Sequence, residues 1–437
     1  MLFALLALFY CGPLAAQVVV QSDGIQIAID PAGNVTVDDR HAALTIGELT
    51  VEPAGDHVWQ VRLRLDNVSS DPVALPLGLG LAVGGDIAPV TDPGGGFGAS
   101  FYAWLRPFIL TDTELRFPSE EEPPEVISLT DGSWLGVINR FTVAALQVEG
   151  DNWSLQPGIA NDGAASFPVA AHMPPTIDAA ASLTLQFRYL QGPRQQHILQ
   201  AADQRLEALL LPGMWAPFRT LCFWIWDLLG FFQVLTGNWG LATILLALVV
   251  RLFTIPITRK SLDAQARAAD QHARLAPMIK QLKERYSGVE QSEKLIALYE
   301  EQHYDHLLPF KGMLGLFIQI PIFIAVFNVL GEIAELRGAS FLWIDDLALS
   351  DRLFALGFSL PWFGGYFNLL PFIMALVTVL SSWMASRNSQ ATTMGLFGMA
   401  ALFFVLFYSF PAAMVLYWTC SNLFQLLQQL VEAWRSR

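Results

Sequence analysis

GNWGLATILLALVVRLFTIPIT (237–258) decides the fold. It is about as long as one crossing of a bilayer core, which takes roughly 20 apolar residues. Its only charge is Arg251. An arginine near mid-membrane costs between about 2.5 and 17 kcal/mol, so such a residue normally faces a partner or water. The other reading is snorkelling. Arg251 precedes Arg259 by eight residues, or roughly 12 Å at ~1.5 Å per residue, within partial reach of an interface. The stretch alone leaves both readings open.

Further spans follow at 309–331, 366–385, 394–410 and 411–432, with Pro411 marking a tight turn before the last. Upstream, 200–236 is crowded with aromatics (Trp215, Phe218, Phe223, Trp224, Trp226, Phe231, Phe232) and includes Arg219 and Asp227. Rings with a few charges suit the headgroup region, so an amphipathic interfacial helix is expected there, with a full span as the alternative. Between the first two spans, 259–308 carries Arg259, Lys260, Arg267, Arg274, Lys280, Lys283, Arg285 and Lys294. Only Arg337 and Arg352 lie in 332–365. The positive-inside rule puts 259–308 in the cytoplasm and 332–365 in the periplasm, with Arg387 in a cytoplasmic loop (386–393) and Arg435 and Arg437 in a cytoplasmic tail (433–437). Within 259–308, Leu275, Ile279, Leu282 and Tyr286 share one helical face, Ser287 and Gly288 make a turn, and 291–306 reads as a second helix. A cytoplasmic helical hairpin is expected, kinked at Pro277.

The composition divides in the same way. Of 437 residues 53% are hydrophobic and 15% charged, which no single soluble domain of average make-up shows. Residues 17–200 hold 22 Asp+Glu against 8 Lys+Arg, so the net charge of −14 belongs entirely to them. Phosphates would repel such a domain, which argues against nucleic acid as a direct partner. The segment 17–199 shows short alternating stretches (Ile25, Ile27, Ile29; Val61, Leu63, Leu65; Leu183, Leu185, Phe187, Tyr189) broken by Gly- and Pro-rich turns. That pattern suggests an antiparallel β-sandwich on the outer side, with Glu120, Glu121 and Glu122 in a solvated loop. The apolar 1–16 reads as a signal peptide or an N-terminal anchor. Cys11, Cys222 and Cys420 make neither a zinc motif nor a disulfide framework, and no P-loop is present, so no cofactor or metal is expected. The chain is therefore read as multi-domain: a polytopic α-helical membrane bundle with a five-helix core, preceded by an extracytoplasmic antiparallel β-sandwich domain.

Polar residues in the spans are the remaining signal. Asn422, Gln425 and Gln429 share one face of the last span, widened by Ser421 and Gln428. Gln319 stands just before Pro321, which frees a backbone carbonyl. Helix–helix adhesion explains such residues, and so does a wet cavity. Apart from Glu432 at the end of the last one, the spans contain no Asp, Glu or His, which argues against a proton relay or an ion-coupled pump.

The order of parts resembles a known family. GNWGLATILLALVVRLFTIPIT (237–258), LAPMIKQLKERY (275–286), LFIQIPIFIAVFNVL (316–330), ASFLWIDDLALSD (339–351) and FPAAMVLYWTCSNLFQLLQQ (410–429) look like the bacterial YidC insertases and their mitochondrial Oxa and chloroplast Albino relatives. The outer β domain resembles the Gram-negative branch, and FRYLQGPR (187–194) its exit into the membrane part. The resemblance implies a non-enzymatic membrane-protein insertase or chaperone with a hydrophilic groove open to cytoplasm and lipid. Arg251 aligns with the family's groove arginine, and the implied substrate-groove set is Arg251, Gln319, Trp418, Asn422, Gln425 and Gln429. Implied partners are nascent membrane proteins, components of the Sec translocon, the lipid bilayer and the ribosome, the last held weakly because no basic tail follows Arg437. A secondary transporter or channel, and a scaffold subunit of the secretion machinery, are the competing readings.

Overall fold

The computed structural model describes residues 18–22, 25–29, 35–39, 43–74, 79–83, 95–118, 127–150, 153–157, 168–172, 176–302, 304–305, 307–386 and 393–435. The segment 1–16, the acidic triplet at 120–122, Arg387 and the tail end at 436–437 lie outside the described residues.

Among the described residues, the acidic part forms two seven-stranded antiparallel sheets. One runs, in spatial order, Ile127–Leu129, Trp153–Pro157, Pro168–His172, Leu79–Val83, Val18–Ser22, Ile25–Ile29 and Val35–Asp39. The other runs Leu44–Gly55, Val58–Asn67, Ser182–Pro193, Thr142–Val148, Trp134–Asn139, Leu105–Leu110 and Leu115–Arg116. Their facing sides share a core in which Ile27, Leu129 and Trp153 of the first meet Leu63, Leu135, Val137, Leu146 and Phe187 of the second. This is the expected sandwich, produced by period-two alternation that gives each sheet an apolar inner face.

The second sheet is covered on both faces. LGVINRFTVAALQV (135–148) has no alternation, and every residue of Trp134–Asn139 is buried. Its outer side, with Trp134, Ile138, Val143 and Ala145, joins one continuous core with Ile198, Leu199 and Leu206 and with Leu330, Ile333 and Met414 of the helical part. A continuous apolar run is the mark of a strand covered on both faces. Each fully buried apolar side chain contributes about 1.5–3 kcal/mol, so docking on the bundle is a large share of what stabilises this sheet.

At the turn of that hairpin Asn139 accepts hydrogen bonds from the backbone N–H groups of Phe141 (2.9 Å) and Thr142 (2.8 Å). The turn drives Arg140 into the bundle. Its guanidinium donates to the carbonyls of Gly331 and Ala348 (2.8 Å to the latter) and lies 4.5 Å from the ring centroids of Tyr102 and Phe141. Burial lowers its pKa to about 10, which leaves it charged at neutral pH. Arg194, also buried, donates to the carbonyls of Leu209 (3.2 Å) and Arg140 (2.9 Å) and pairs with Glu332 at 3.2 Å. The short helix α1 (Phe97–Ser100) adds a third contact, the N–H of Gly98 donating to Ser409 Oγ at 2.8 Å.

From the sandwich the chain passes through α2 (Gln196–Ala202) and a 3-10 turn, Gln204–Leu209, into α3 (Ala216–Thr236). Gly237, at φ 68°, ends α3 in the left-handed conformation that glycine adopts without strain. Asn238 then caps α4 (Trp239–Arg285), accepting from the N–H groups of Gly240 (2.8 Å) and Leu241 (3.1 Å) and donating to the Ser340 carbonyl (3.1 Å). Asn238→Ala is expected to lower the protein's stability by about 1 kcal/mol, the usual worth of such a cap. A thermal-unfolding shift of the detergent-solubilised full chain reads this, and an unchanged midpoint would refute it.

One boundary is corrected. The expected helices at 237–258 and in 259–285 are a single helix of 47 residues, with Pro256 and Pro277 inside it. Beyond Thr258 the sequence holds no glycine until Gly288 and is rich in Ala, Arg, Lys, Gln and Leu, so nothing stops the helix. At ~1.5 Å per residue it is roughly 70 Å long, more than twice a hydrocarbon core. The second arm of the projecting hairpin, α5 (Gly288–Glu301), starts after Ser287. Next come α6 (Leu308–Glu332), α7 (Leu370–Ser386), α8 (Thr393–Phe407) and α9 (Ala412–Arg435). A second difference lies before α7. Residues 366–367, expected at the start of a span, belong to a β-hairpin, Phe354–Leu360 paired with Gly364–Phe367, that begins in the expected loop 332–365 and runs past its end.

Among the described residues, Ala216–Thr236, Trp239–Arg285 and Phe310–Glu332 are long and apolar enough to cross a membrane, and Leu370–Met384 is a shorter apolar helix. In the bundle α3 packs on α4 and α6, α4 on α6 and α9, and α9 on α6 and α7, while α8 packs on α7. The sandwich sits at the C-terminal end of α6, and the α4–α5 hairpin projects from the opposite end.

Candidate functional site

Arg251 lies twelve residues after Trp239, roughly 18 Å along α4. It is half-buried between helices rather than turned wholly outward. Its Nη2 donates to Gln428 Oε1 of α9 at 2.9 Å. A neutral amide orients a guanidinium without cancelling its charge, so this bond holds the cation in place and leaves its field intact. Three residues further on, Thr254 Oγ1 donates back to the Arg251 carbonyl at 3.0 Å, and Thr254 is buried.

The polar stripe of α9 follows from helix geometry. At ~100° per residue, Trp418, Asn422, Gln425 and Gln429 fall within a sector of roughly 60°, with Ser421 and Gln428 on its flank. The flank faces α4, which is why Gln428 rather than Gln425 meets Arg251. On the other side Asn422 Nδ2 donates to Thr378 Oγ1 of α7 at 2.9 Å, and Thr378 in turn donates to the Met374 carbonyl. The stripe thus binds α9 to α4 and α7 at once. Gln425 and Gln429 are half-buried, and Gln429 Oε1 is enclosed with no hydrogen-bond partner among the described residues. A buried acceptor left unpaired costs about 1–3 kcal/mol, so it favours any donor brought to it.

Two residues of the expected set stand apart from Arg251. Trp418 is packed in an aromatic cluster joining α6, α8 and α9, its ring centroid 5.1 Å from Phe323, 5.2 Å from Phe403 and 5.8 Å from Phe407. Gln319 is half-exposed on α6, two residues before Pro321. Of the residues that the structure does bring together, Thr378 went unnoticed in the sequence. A threonine within MALVTVLSSW (374–383) is a visible signal, although an isolated one. No group of three or more His, Cys, Asp or Glu that could hold a metal ion occurs among the described residues.

Near the projecting hairpin, Ser261 Oγ and Gln265 Nε2 (2.6 Å) both donate to the Gly312 carbonyl, tying α4 to the first turns of α6. Tyr304 then packs against His272 and Tyr299, with ring centroids 6.0 and 4.8 Å away. The hairpin is thereby fixed at its base, while α5 buries none of its residues.

Residues 231–435 match the model of the 60Kd inner membrane protein family. A membrane protein insertase YidC of Treponema denticola is 28% identical over 353 residues, covering 72% of this chain and 58% of the relative. That of Syntrophobacter fumaroxidans is 29% identical over 257 residues, covering 58% and 44%. That of Francisella tularensis subsp. novicida is 31% identical over 314 residues, covering 70% and 52%. The chain thus spans about half the length of the curated relatives it matches. A solved structure of an active YidC insertase aligns over 98% of this chain and 97% of its own at 18% identity, with a TM-score of 0.37, and adds nothing to the assignment. Residues 231–435, which hold most of the apolar helices, are thus similar to the 60Kd inner membrane protein family, and the relatives that share this likeness are named YidC insertases.

Proposed function

We propose that the chain is an insertase for nascent membrane proteins, with Arg251 as the polar anchor of its substrate path. The observation that carries this reading is the cation held in mid-helix by Gln428, beside the amide stripe of α9. A short hydrophilic segment of a substrate enters beside α4 and α9, where Arg251, Gln425 and Gln429 replace part of its hydration. That lowers the cost of bringing polar groups below the headgroups. The substrate's apolar helix moves sideways into lipid, and hydrophobic transfer drives the process, so nucleotide hydrolysis has no part in it. The relatives are named membrane protein insertases, which supports the same reading.

The excess of Lys and Arg in 259–308 supports a cytoplasmic α4–α5 hairpin, a cytoplasmic C-terminus and a periplasmic β-sandwich. In this arrangement α3 lies along the membrane interface, the hairpin meets ribosome or nascent chain, and components of the Sec translocon are neighbours. Gln319 and Trp418 line the path from the α6 side.

A photo-crosslinking amino acid at Gln425 tests the proposal in inverted inner-membrane vesicles during synthesis of a single-span substrate. The expected adduct contains the nascent chain. Adducts only with stable resident proteins would replace this reading with that of a scaffold.

A further inference from the structure

The hairpin before α7 presents apolar side chains outward on its first strand and at its turn. Phe354, Phe358, Leu360 and Trp362 are all exposed, Phe358 at 61% and Trp362 at 63%. From Phe354 to Phe367 (FALGFSLPWFGGYF) there is no charged residue. Monomeric soluble proteins rarely leave such a patch uncovered.

Three observations say what covers it. The patch is continuous with the apolar outer side of the helices: Phe354 stacks on Phe367 (4.9 Å), and Phe367 stacks on Phe372 of α7 (5.2 Å). Along the same two helices Phe372, Leu376 and Leu380 of α7 and Leu402 and Val405 of α8 are exposed, as membrane-spanning faces are. Arg352 at the hairpin's base lies 4.7 Å over the ring of Tyr366, which sets a cation and an amphipathic ring where the strands leave the helix end.

The hairpin is also held in place. Trp362 takes the left-handed conformation, φ 71°, which a tryptophan adopts only under external constraint. Its carbonyl accepts from the N–H of Phe97 in α1 (2.8 Å), and their rings lie 4.8 Å apart. Phe101, also exposed, packs on Phe410 in the turn between α8 and α9. The sandwich thus contributes its own aromatic corner to the same surface.

We propose that this surface, made of the 354–367 hairpin with Phe97 and Phe101, lies within the lipid of the membrane leaflet on the sandwich side. There the side chains of Phe358 and Trp362 contact acyl chains at the headgroup boundary, and the sandwich rests on the bilayer through α1. The inference depends on the bundle spanning a membrane and not on insertase activity.

The test uses the full chain in liposomes, with Cys11, Cys222 and Cys420 replaced by Ala and a nitroxide placed singly by Phe358→Cys, Trp362→Cys or Phe101→Cys. Val68→Cys on the sandwich surface is the aqueous reference, and Leu376→Cys on α7 is the lipid reference. Power-saturation EPR compares collision with oxygen, which concentrates in lipid, and with a water-soluble nickel chelate. The oxygen-to-nickel ratio at 358, 362 and 101 is expected to exceed that at 68 several-fold and to approach that at 376. Ratios equal to that at 68 overturn the proposal. Exclusion of both reagents overturns it in favour of a protein partner. An aqueous ratio at 376 overturns the spanning arrangement itself, and the proposal with it.

Discussion

Arg251→Ala is expected to lower insertion of a single-span substrate with an acidic leading segment by roughly ten- to a hundredfold. A hydrogen bond to a charged group is worth about 1.5–3 kcal/mol, and ~1.4 kcal/mol corresponds to a factor of ten. Arg251→Lys keeps the charge and is expected to retain most of the activity on that substrate, although its ammonium does not reproduce a guanidinium's geometry. A substrate with a neutral leading segment should lose little in either variant. The fold should not suffer. Alanine removes the cost of a charge in the helix, about 2.5 kcal/mol at least, and forfeits an interhelical bond to Gln428 worth about 0.6 kcal/mol. Insertion into liposomes, read by protease protection, and the thermal midpoint of the same preparation separate the two effects. Equal activity of all three proteins on both substrates would remove Arg251 from the mechanism.

Arg140→Met should act in the opposite manner, on stability and on the seating of the sandwich. The substitution fills the space but strands the carbonyls of Gly331 and Ala348. At about 1–3 kcal/mol for each buried group left unpaired, and with partial relief from no longer burying a charge, a net loss of about 2–4 kcal/mol is expected. Arg140→Lys should not rescue it, because one ammonium cannot reproduce the planar fork that reaches both carbonyls. Limited proteolysis of the full chain in membranes reads the outcome: faster cleavage between the sandwich and α3 than in wild type. An unchanged rate in both variants would show that apolar packing of the second sheet suffices by itself.

Arg140 also marks a limit of reading from sequence. In LGVINRFTVAALQV it is one arginine between two strands, where a solvated turn is the ordinary outcome. What makes it an anchor is the end of α6, nearly two hundred residues away. The run's missing alternation was a legible sign of burial on both faces. The reason for that burial was not, since it depends on a partner layer. The hairpin before α7 was hidden for a related cause. Its first strand faces outward along most of its length, so an alternating inner and outer face had little to reflect.

Other features were local and could be read directly. The Gly237 and Asn238 pair ends one helix and caps the next with groups inside four residues. The lengths and apolar runs of the spans follow from the thickness of a bilayer, and the position of Arg251 within one is a matter of counting. The grouping of Asn422, Gln425 and Gln429 on one face needs only the helical repeat. Choosing among the flanking amides required the neighbours. Gln428 meets Arg251 because α4 packs on that flank of α9, and Thr378 meets Asn422 because α7 packs on the other.

By itself, then, the sequence determined the class of the fold, the places of its long apolar helices and the arginine set deep within one of them. Those depend on local composition and on periods of two and 3.6 residues. Tertiary structure alone decided which amide holds Arg251, how the second sheet is covered and where Arg140 donates. Each of these is a contact between elements far apart in the chain, and its energy exists only once both surfaces are in place.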